Sequence, residues 1–98
     1  MKKVKWGILG AGKIAHRFAS SLMNINDVEL YAIAVRNINK GNKFAEKFSC
    51  SKIYTNYDEF LEDSNIDCVY IALPHSLHYK YSLIALRKGK WGEIRRKS

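Results

Sequence analysis

At 98 residues, with 47% hydrophobic and 27% charged positions, the chain has the length of one small domain and the composition of a soluble globular protein. No apolar run approaches a membrane span, and the stretch after Met1-Lys2-Lys3 is too short and glycine-rich for a secretory leader, so a cytoplasmic, non-membrane protein is expected. Of the +8 net charge, residues 87–98 carry +5, with no nucleic-acid-binding signature beside them; this disfavours a specific nucleic-acid partner and leaves only nonspecific attraction to polyanions.

The first element is a buried strand, Trp6 to Leu9, that runs into Gly10-Ala11-Gly12 and then directly into an amphipathic helix. Strand, glycine turn and helix in that order form the context of a G-x-G-x-x-A dinucleotide fingerprint. Gly10 permits the tight turn, and Gly12 has no side chain to hold a pyrophosphate away from the backbone. Ala15 stands where a third glycine is common and is small enough to let helix and strand approach. The helix opening at Lys13 and Ile14 offers free N–H groups and a positive dipole end to phosphates. Gly10, Ala11, Gly12, Lys13 and Ile14 are therefore candidate cofactor contacts; the plainer alternative is an ordinary strand-to-helix turn with two glycines.

Ile14, Ala15, Phe18, Ala19, Leu22 and Met23 form one apolar stripe along a helix of about three turns. Asn24 to Asp27 supply a turn, and Val28 to Val35 read as a second strand, with Leu30, Ala32, Ile33, Ala34 and Val35 nearly continuous, as in a parallel strand buried on both faces. NAD-binding units place an acid at the end of this strand, ~20 residues past the motif, to hold the adenosine ribose. Here the sequence is Val35-Arg36-Asn37. A guanidinium at that point can pair bidentately with a 2′-phosphate and stack on adenine, which favours NADP over NAD; otherwise Arg36 is a solvated surface residue.

Asn39 to Phe48 is a weaker helix with Phe44, Ala45 and Phe48 inward, and Gly41 is expected to weaken it. Lys52 to Tyr54 is a short strand, Tyr57 to Leu61 a brief acidic helix, and Ile66 to Leu73 a strongly apolar strand that breaks at Pro74. The loop at Pro74-His75-Ser76-Leu77-His78 leaves the carboxyl end of that strand, so it should face the same crevice as the glycine turn. Leu73, Pro74, His75 and His78 are candidate contacts on the nicotinamide side, and His75 or Ser76 a candidate cap for a helix from Leu77 to Lys88. His75 and His78 are spaced as a metal pair would be, but no further ligands gather near them, so no metal is assigned. His16 receives no role. Cys50 and Cys68 have neither zinc nor disulfide-framework spacing.

These spaced signals together resemble the N-terminal domain of the glucose–fructose oxidoreductase/inositol dehydrogenase (Gfo/Idh/MocA) family, over about residues 4–90. The matching segments are Trp6 to Ala15, Ala34-Val35-Arg36-Asn37, Tyr54 to Leu61 and Asp67 to His78. The chain is closest in flavour to the dihydrodiol and xylose dehydrogenase-like members. The resemblance implies an α/β fold, a Rossmann-type doubly wound parallel sheet. It is incomplete at about four strands, in a domain of residues 1–90 with a basic tail at 91–98 and no second domain. It also implies oxidation or reduction of a sugar, polyol or diol with NADP or NAD as cofactor. Leu73 and His75 stand where the family commonly has Thr and Asn. The family continues into a Glu-Lys-Pro motif whose lysine transfers the proton, and this chain has Trp91-Gly92-Glu93-Ile94-Arg95-Arg96-Lys97-Ser98 instead, so no catalytic residue is assigned. Gly89-Lys90-Trp91-Gly92-Glu93-Ile94-Arg95 resembles a segment found further along in such proteins, and a frameshift or internal deletion would produce such a join.

Two other readings remain. A truncated, non-catalytic remnant would leave the edge of its fourth strand exposed and self-associate through it. An S-adenosylmethionine-dependent methyltransferase shares the glycine turn but fits Arg36 and the Pro74-His75 loop poorly.

Overall fold

The computed structural model describes residues 3–73 and 75–88, with the backbone alone for His75 and Ser76. Strands β1 (Val4–Leu9), β2 (Val28–Ala34), β3 (Lys52–Tyr54) and β4 (Cys68–Ile71) alternate with helices α1 (Lys13–Leu22), α2 (Ile38–Phe48), α3 (Tyr57–Glu62) and α4 (His75–Arg87). The strands form one parallel sheet in the order β3-β2-β1-β4, with β4 at an edge position. The order reverses between β1 and β4, which places a crevice above the carboxyl ends of these two strands.

The continuous apolarity of β1 and β2 has its reason in two cores, one on each sheet face. Ile8, Leu30, Ile33, Val35 and Tyr70 meet Ala15, Ala19, Leu22, Phe44 and Phe48 of α1 and α2. Leu9, Ala32, Ala34, Val69 and Ile71 meet Tyr57, Phe60 and Leu61 of α3 and Tyr81 and Ala85 of α4. The fold is the doubly wound α/β sheet expected. Trp6 meets the edge of Phe18 at 5.1 Å, and Phe18 in turn stacks on Tyr70 at 3.9 Å.

β2 carries one residue more than β1 opposite it: Trp6 pairs with Leu30 and Gly7 with Ala32, so Tyr31 is extra. Such a bulge puts two successive side chains on one face. Tyr31 and Ala32 both lie on the α3/α4 face, and Tyr31 reaches Asp63 there. Asp63, at the end of α3, accepts from Tyr31 Oη at 3.0 Å, Tyr54 Oη at 2.5 Å and the Asn65 N–H at 2.9 Å. Burial pushes the Asp63 carboxyl up, but the donors from Tyr54, Asn65 and Tyr31 outweigh it and hold the group below its usual value. Burial and the same carboxylate push both tyrosine hydroxyls up. This network fastens the far end of α3 to β2 and β3, and the Lys88–Glu62 ion pair links α3 to the end of α4.

Several boundaries differ from the sequence reading. Met23 leaves the α1 stripe: it caps the helix and is 58% exposed. β4 is shorter at both ends than Ile66–Leu73; just before it the Asp67 N–H donates to the Lys5 carbonyl while the Asp67 carboxylate accepts from the Lys5 N–H, and just after it the Ala72 N–H donates to the Leu9 carbonyl. α4 begins at His75, so His75 and Ser76 lie within its first turn and not ahead of it. Gly41 is not a weak point of α2; it is buried, and a Cβ there would lie 2.7 Å from Val35 Cγ2 and 2.8 Å from Ile53 Cγ2. The glycine lets α2 lie against β2 and β3. Pro74, Lys90 and the 91–98 tail lie outside the described residues.

Candidate functional site

At the end of β1 the chain turns through Gly10, whose φ of +107° suits glycine alone, and whose N–H donates to the Ala34 carbonyl at 2.8 Å. A Cβ at Gly10 would sit 2.5 Å from the Ala72 carbonyl oxygen, so the glycine is needed twice: for its backbone angle and for the close approach of β4. Gly12 caps α1 in an extended conformation open to any residue, and it is exposed. No side chain caps α1 and no acid lies in its first turn, so the leading N–H groups remain available to an anion. Ala15 is fully buried against the sheet, as the third-glycine reading requires.

β2 ends beside this turn. The Val35 N–H donates to Tyr54, and Arg36 emerges exposed with its Cζ 5.4 Å above the Tyr57 ring. Asn37 then starts α2, its Oδ1 accepting from the N–H groups of Asn39 at 2.9 Å and Lys40 at 3.3 Å. From β4, Ala72 is tied to Leu9 by its N–H, and Leu73 follows, buried.

A cleft of about 220 Å³ lies where these ends meet. Gly10, Ala11, Gly12, Arg36 and Leu73 all line it, together with Val35, Asn37, Lys40, Tyr57 and Ala72. Among the described residues two cations and no carboxylate border it, so its field favours an anion. A second hollow of about 260 Å³ shares Arg36 and Tyr57 and is completed by Thr55, Asn56, Asp58 and Tyr81.

Of the other residues expected at the site, Lys13 is exposed at the start of α1, and Ile14 packs beneath it against the α1/α2 core. His78 is 6% exposed in α4; its Nδ1 lies 3.3 Å from Ser82 Oγ, and its Nε2 is buried without a partner among the described residues. Pro74 and the His75 side chain lie outside the described residues. His16 wedges between α1 and α2, edge-on to Phe44 at 5.0 Å and Phe48 at 5.5 Å, with burial and Lys47 lowering its pKa. Among the described residues no three His, Cys, Asp or Glu side chains gather as a metal site would.

Sequence reasoning missed Lys40 and Tyr57 as cleft residues. Lys40 carried a usable signal, since a helix starting directly after Arg36 brings its first turn to the same place. Tyr57 carried none, because its position depends on how α3 crosses the sheet.

Residues 4–94 match the family model for Gfo/Idh/MocA, an oxidoreductase family with an NAD-binding Rossmann fold. The trans-1,2-dihydrobenzene-1,2-diol dehydrogenase of Mus musculus is 36% identical over 89 residues, which are 89% of this chain and 27% of that protein. The D-xylose 1-dehydrogenase (NADP(+)) of Hypocrea jecorina is 35% identical, over 89% of this chain and 25% of its own length. KijD10, a 3-ketoreductase from Actinomadura kijaniata solved with NADP and TDP-benzene, superposes with a TM-score of 0.84 at 32% identity, over 91% of this chain and 27% of that one. The chain thus spans about a quarter of the length of these relatives. With the doubly wound sheet, the glycine turn and the match over nearly its whole length, the chain belongs to the Gfo/Idh/MocA family of oxidoreductases and has its NAD-binding Rossmann fold.

Proposed function

We propose that the chain binds NADP, in preference to NAD, as the cofactor-holding part of an oxidoreductase acting on a sugar, polyol or diol. The observation that carries this reading is the presence of Arg36 and Lys40 together in the cleft bordered by Gly10 and Gly12, with no carboxylate among the described residues there to hold a ribose 2′-hydroxyl. Gly10, Ala11 and Gly12, with the opening N–H groups of α1 at Lys13 and Ile14, take the pyrophosphate. Arg36 and Lys40 take the 2′-phosphate. Leu73, Pro74, His75 and His78 are assigned to the nicotinamide side. The bound nicotinamide supplies hydride transfer, and the residues of this chain bind and orient it. No catalytic acid or base is assigned to the chain; the NADP named for the xylose dehydrogenase and for KijD10 supports the cofactor, and their names support the substrate class. We place the protein in the cytoplasm, a reading supported by its two free cysteines.

Isothermal titration with NADPH and NADH tests the reading. NADPH should bind the more tightly, and Arg36→Ala should weaken it by about 10- to 100-fold, the worth of a charged hydrogen bond, while sparing NADH. Equal binding of both nucleotides, or an Arg36→Ala variant that still prefers NADPH as the wild type does, refutes it.

A second reading, a self-associating module, is favoured by an exposed apolar stripe on α4: Tyr79 at 71%, Leu83 at 39% and Leu86 at 53% exposure. Size in solution with and without NADPH separates the two. A dimer indifferent to NADPH supports the module, and a species that binds NADPH supports the cofactor domain.

A further inference from the structure

Arg36 has five N–H donors and, among the described residues, no hydrogen bond or ion pair that spends them. A long exposed side chain in that state samples many rotamers, and ordering it on binding costs affinity. Yet its Cζ lies over the face of Tyr57, at a separation where the ring attracts the cation.

Tyr57 is firmly held. The residue is 9% exposed, and its ring stands edge-on to Tyr81 of α4 at 5.2 Å and 82°. It is also the first residue of α3, fixed there by Asn56 Oδ1, which accepts from the N–H groups of Asp58 at 2.8 Å and Glu59 at 3.1 Å. The other end of the helix is tied down through Asp63. The ring therefore offers a rigid platform between the two hollows that Arg36 borders, and Asp58, the carboxylate lining the second hollow, makes no ion pair with Arg36.

We propose that Tyr57 is a positioning residue for cofactor selectivity: its ring holds the Arg36 guanidinium over the cleft, pre-ordered for a 2′-phosphate. The proposal rests on the reading of Arg36 as the 2′-phosphate ligand. Tyr57 touches no phosphate itself and acts only through Arg36, so its effect belongs to the 2′-phosphorylated nucleotide alone.

The test compares adenosine 2′,5′-bisphosphate with 5′-AMP on the 98-residue chain, titrated against wild type, Tyr57→Phe, Tyr57→Leu, Tyr57→Met, Arg36→Ala and Arg36→Ala/Tyr57→Leu. Taking the ratio of the two affinities in one sample removes any dependence on the folded fraction, and Leu and Met retain bulk without a π face. Tyr57→Leu and Tyr57→Met should lower the preference for the bisphosphate about tenfold, with 5′-AMP binding changed less than about twofold. Tyr57→Phe should restore the wild-type preference, and in the Arg36→Ala background Tyr57→Leu should cost nothing further. An equal loss for both nucleotides assigns Tyr57 to packing alone and overturns the proposal. So does a preference unchanged in Tyr57→Leu and Tyr57→Met, or a loss that persists without Arg36. A wild type without preference for the bisphosphate refutes the NADP reading itself and is seen before any variant is made.

Discussion

Gly41→Ala sets two effects of similar size against each other, and the structure decides the sign. Alanine is favoured over glycine inside a helix by about 1 kcal/mol, so propensity alone predicts that the substitution stabilises α2. The new methyl would arrive 2.7 Å from Val35 Cγ2 and 2.8 Å from Ile53 Cγ2. Carbon atoms rest at roughly 3.5–4.0 Å, so each contact must open by about 1 Å. Val35 is 3% exposed and β-branched, with no space to swing into, and overpacking of this kind costs about 1–3 kcal/mol. The clash wins, and a net loss near 1 kcal/mol lowers the thermal midpoint of a domain this size by about 4–8 °C. Thermal and urea unfolding of Gly41→Ala beside Asn42→Ala, at an exposed position of the same helix, measures it. The control should rise slightly while Gly41→Ala falls, and Gly41→Ala in a Val35→Ala background should lose less than the sum of the two changes. Val35 directly precedes Arg36, so NADPH binding should weaken with it. A rise in midpoint for Gly41→Ala refutes the packing argument.

Asp63→Asn removes the charged acceptor from Tyr54 and Tyr31 and should lower stability at pH 7 by roughly 1 kcal/mol, discounted for partial exposure. The Asp63 carboxyl is held below its usual 3.8, so its stabilisation is present above about pH 4 and lost as pH falls through the folded value. The gap between wild type and variant in urea unfolding should therefore close below that pH, and a gap constant from pH 7 to pH 2 contradicts the carboxylate's role. Asn37→Asp keeps the α2 cap, since Asp and Asn cap alike, but places a carboxylate in the cleft beside Arg36. Its thermal midpoint should hold within about 2 °C while NADPH binding falls about tenfold and NADH binding does not, by the worth of one adverse charge pair.

The sheet was legible because its signal is local. β1 and β2 announce themselves by the apolar runs Trp6–Leu9 and Leu30–Val35, and the glycine turn by its place between strand and helix. β4 was read too long because Ile66 is as apolar as a strand residue, yet it is buried under α3 before the pairing begins. Gly41 was misread for the complementary reason. Propensity sees the helix but not the Val35 and Ile53 methyls against it. Gly7 is likewise fixed by a distant partner: a Cβ there would lie 2.6 Å from Phe60 Cζ, a contact between residues 53 positions apart. At the site, Arg36 was visible from its register at the strand end, whereas Tyr57 beneath it was not. Residues on one element carry their spacing in the sequence; residues brought together from two elements do not.

The extra residue in β2 also divides that strand into two segments with separate phase. Above Tyr31, the alternation that sends Val35 to one face and Arg36 toward Tyr57 is counted from Ala32, not from Val28. Lengthening or shortening the chain before Leu30 would disturb the lower rungs of the ladder and leave the orientation of Arg36 intact. Losing Tyr31 would make β2 regular with β1 while every remaining residue kept its rung and its face, and the strand would lose its tie to Asp63. The irregularity acts as a phase reset, uncoupling the face on which the cofactor cation emerges from whatever happens at the opposite end of the sheet.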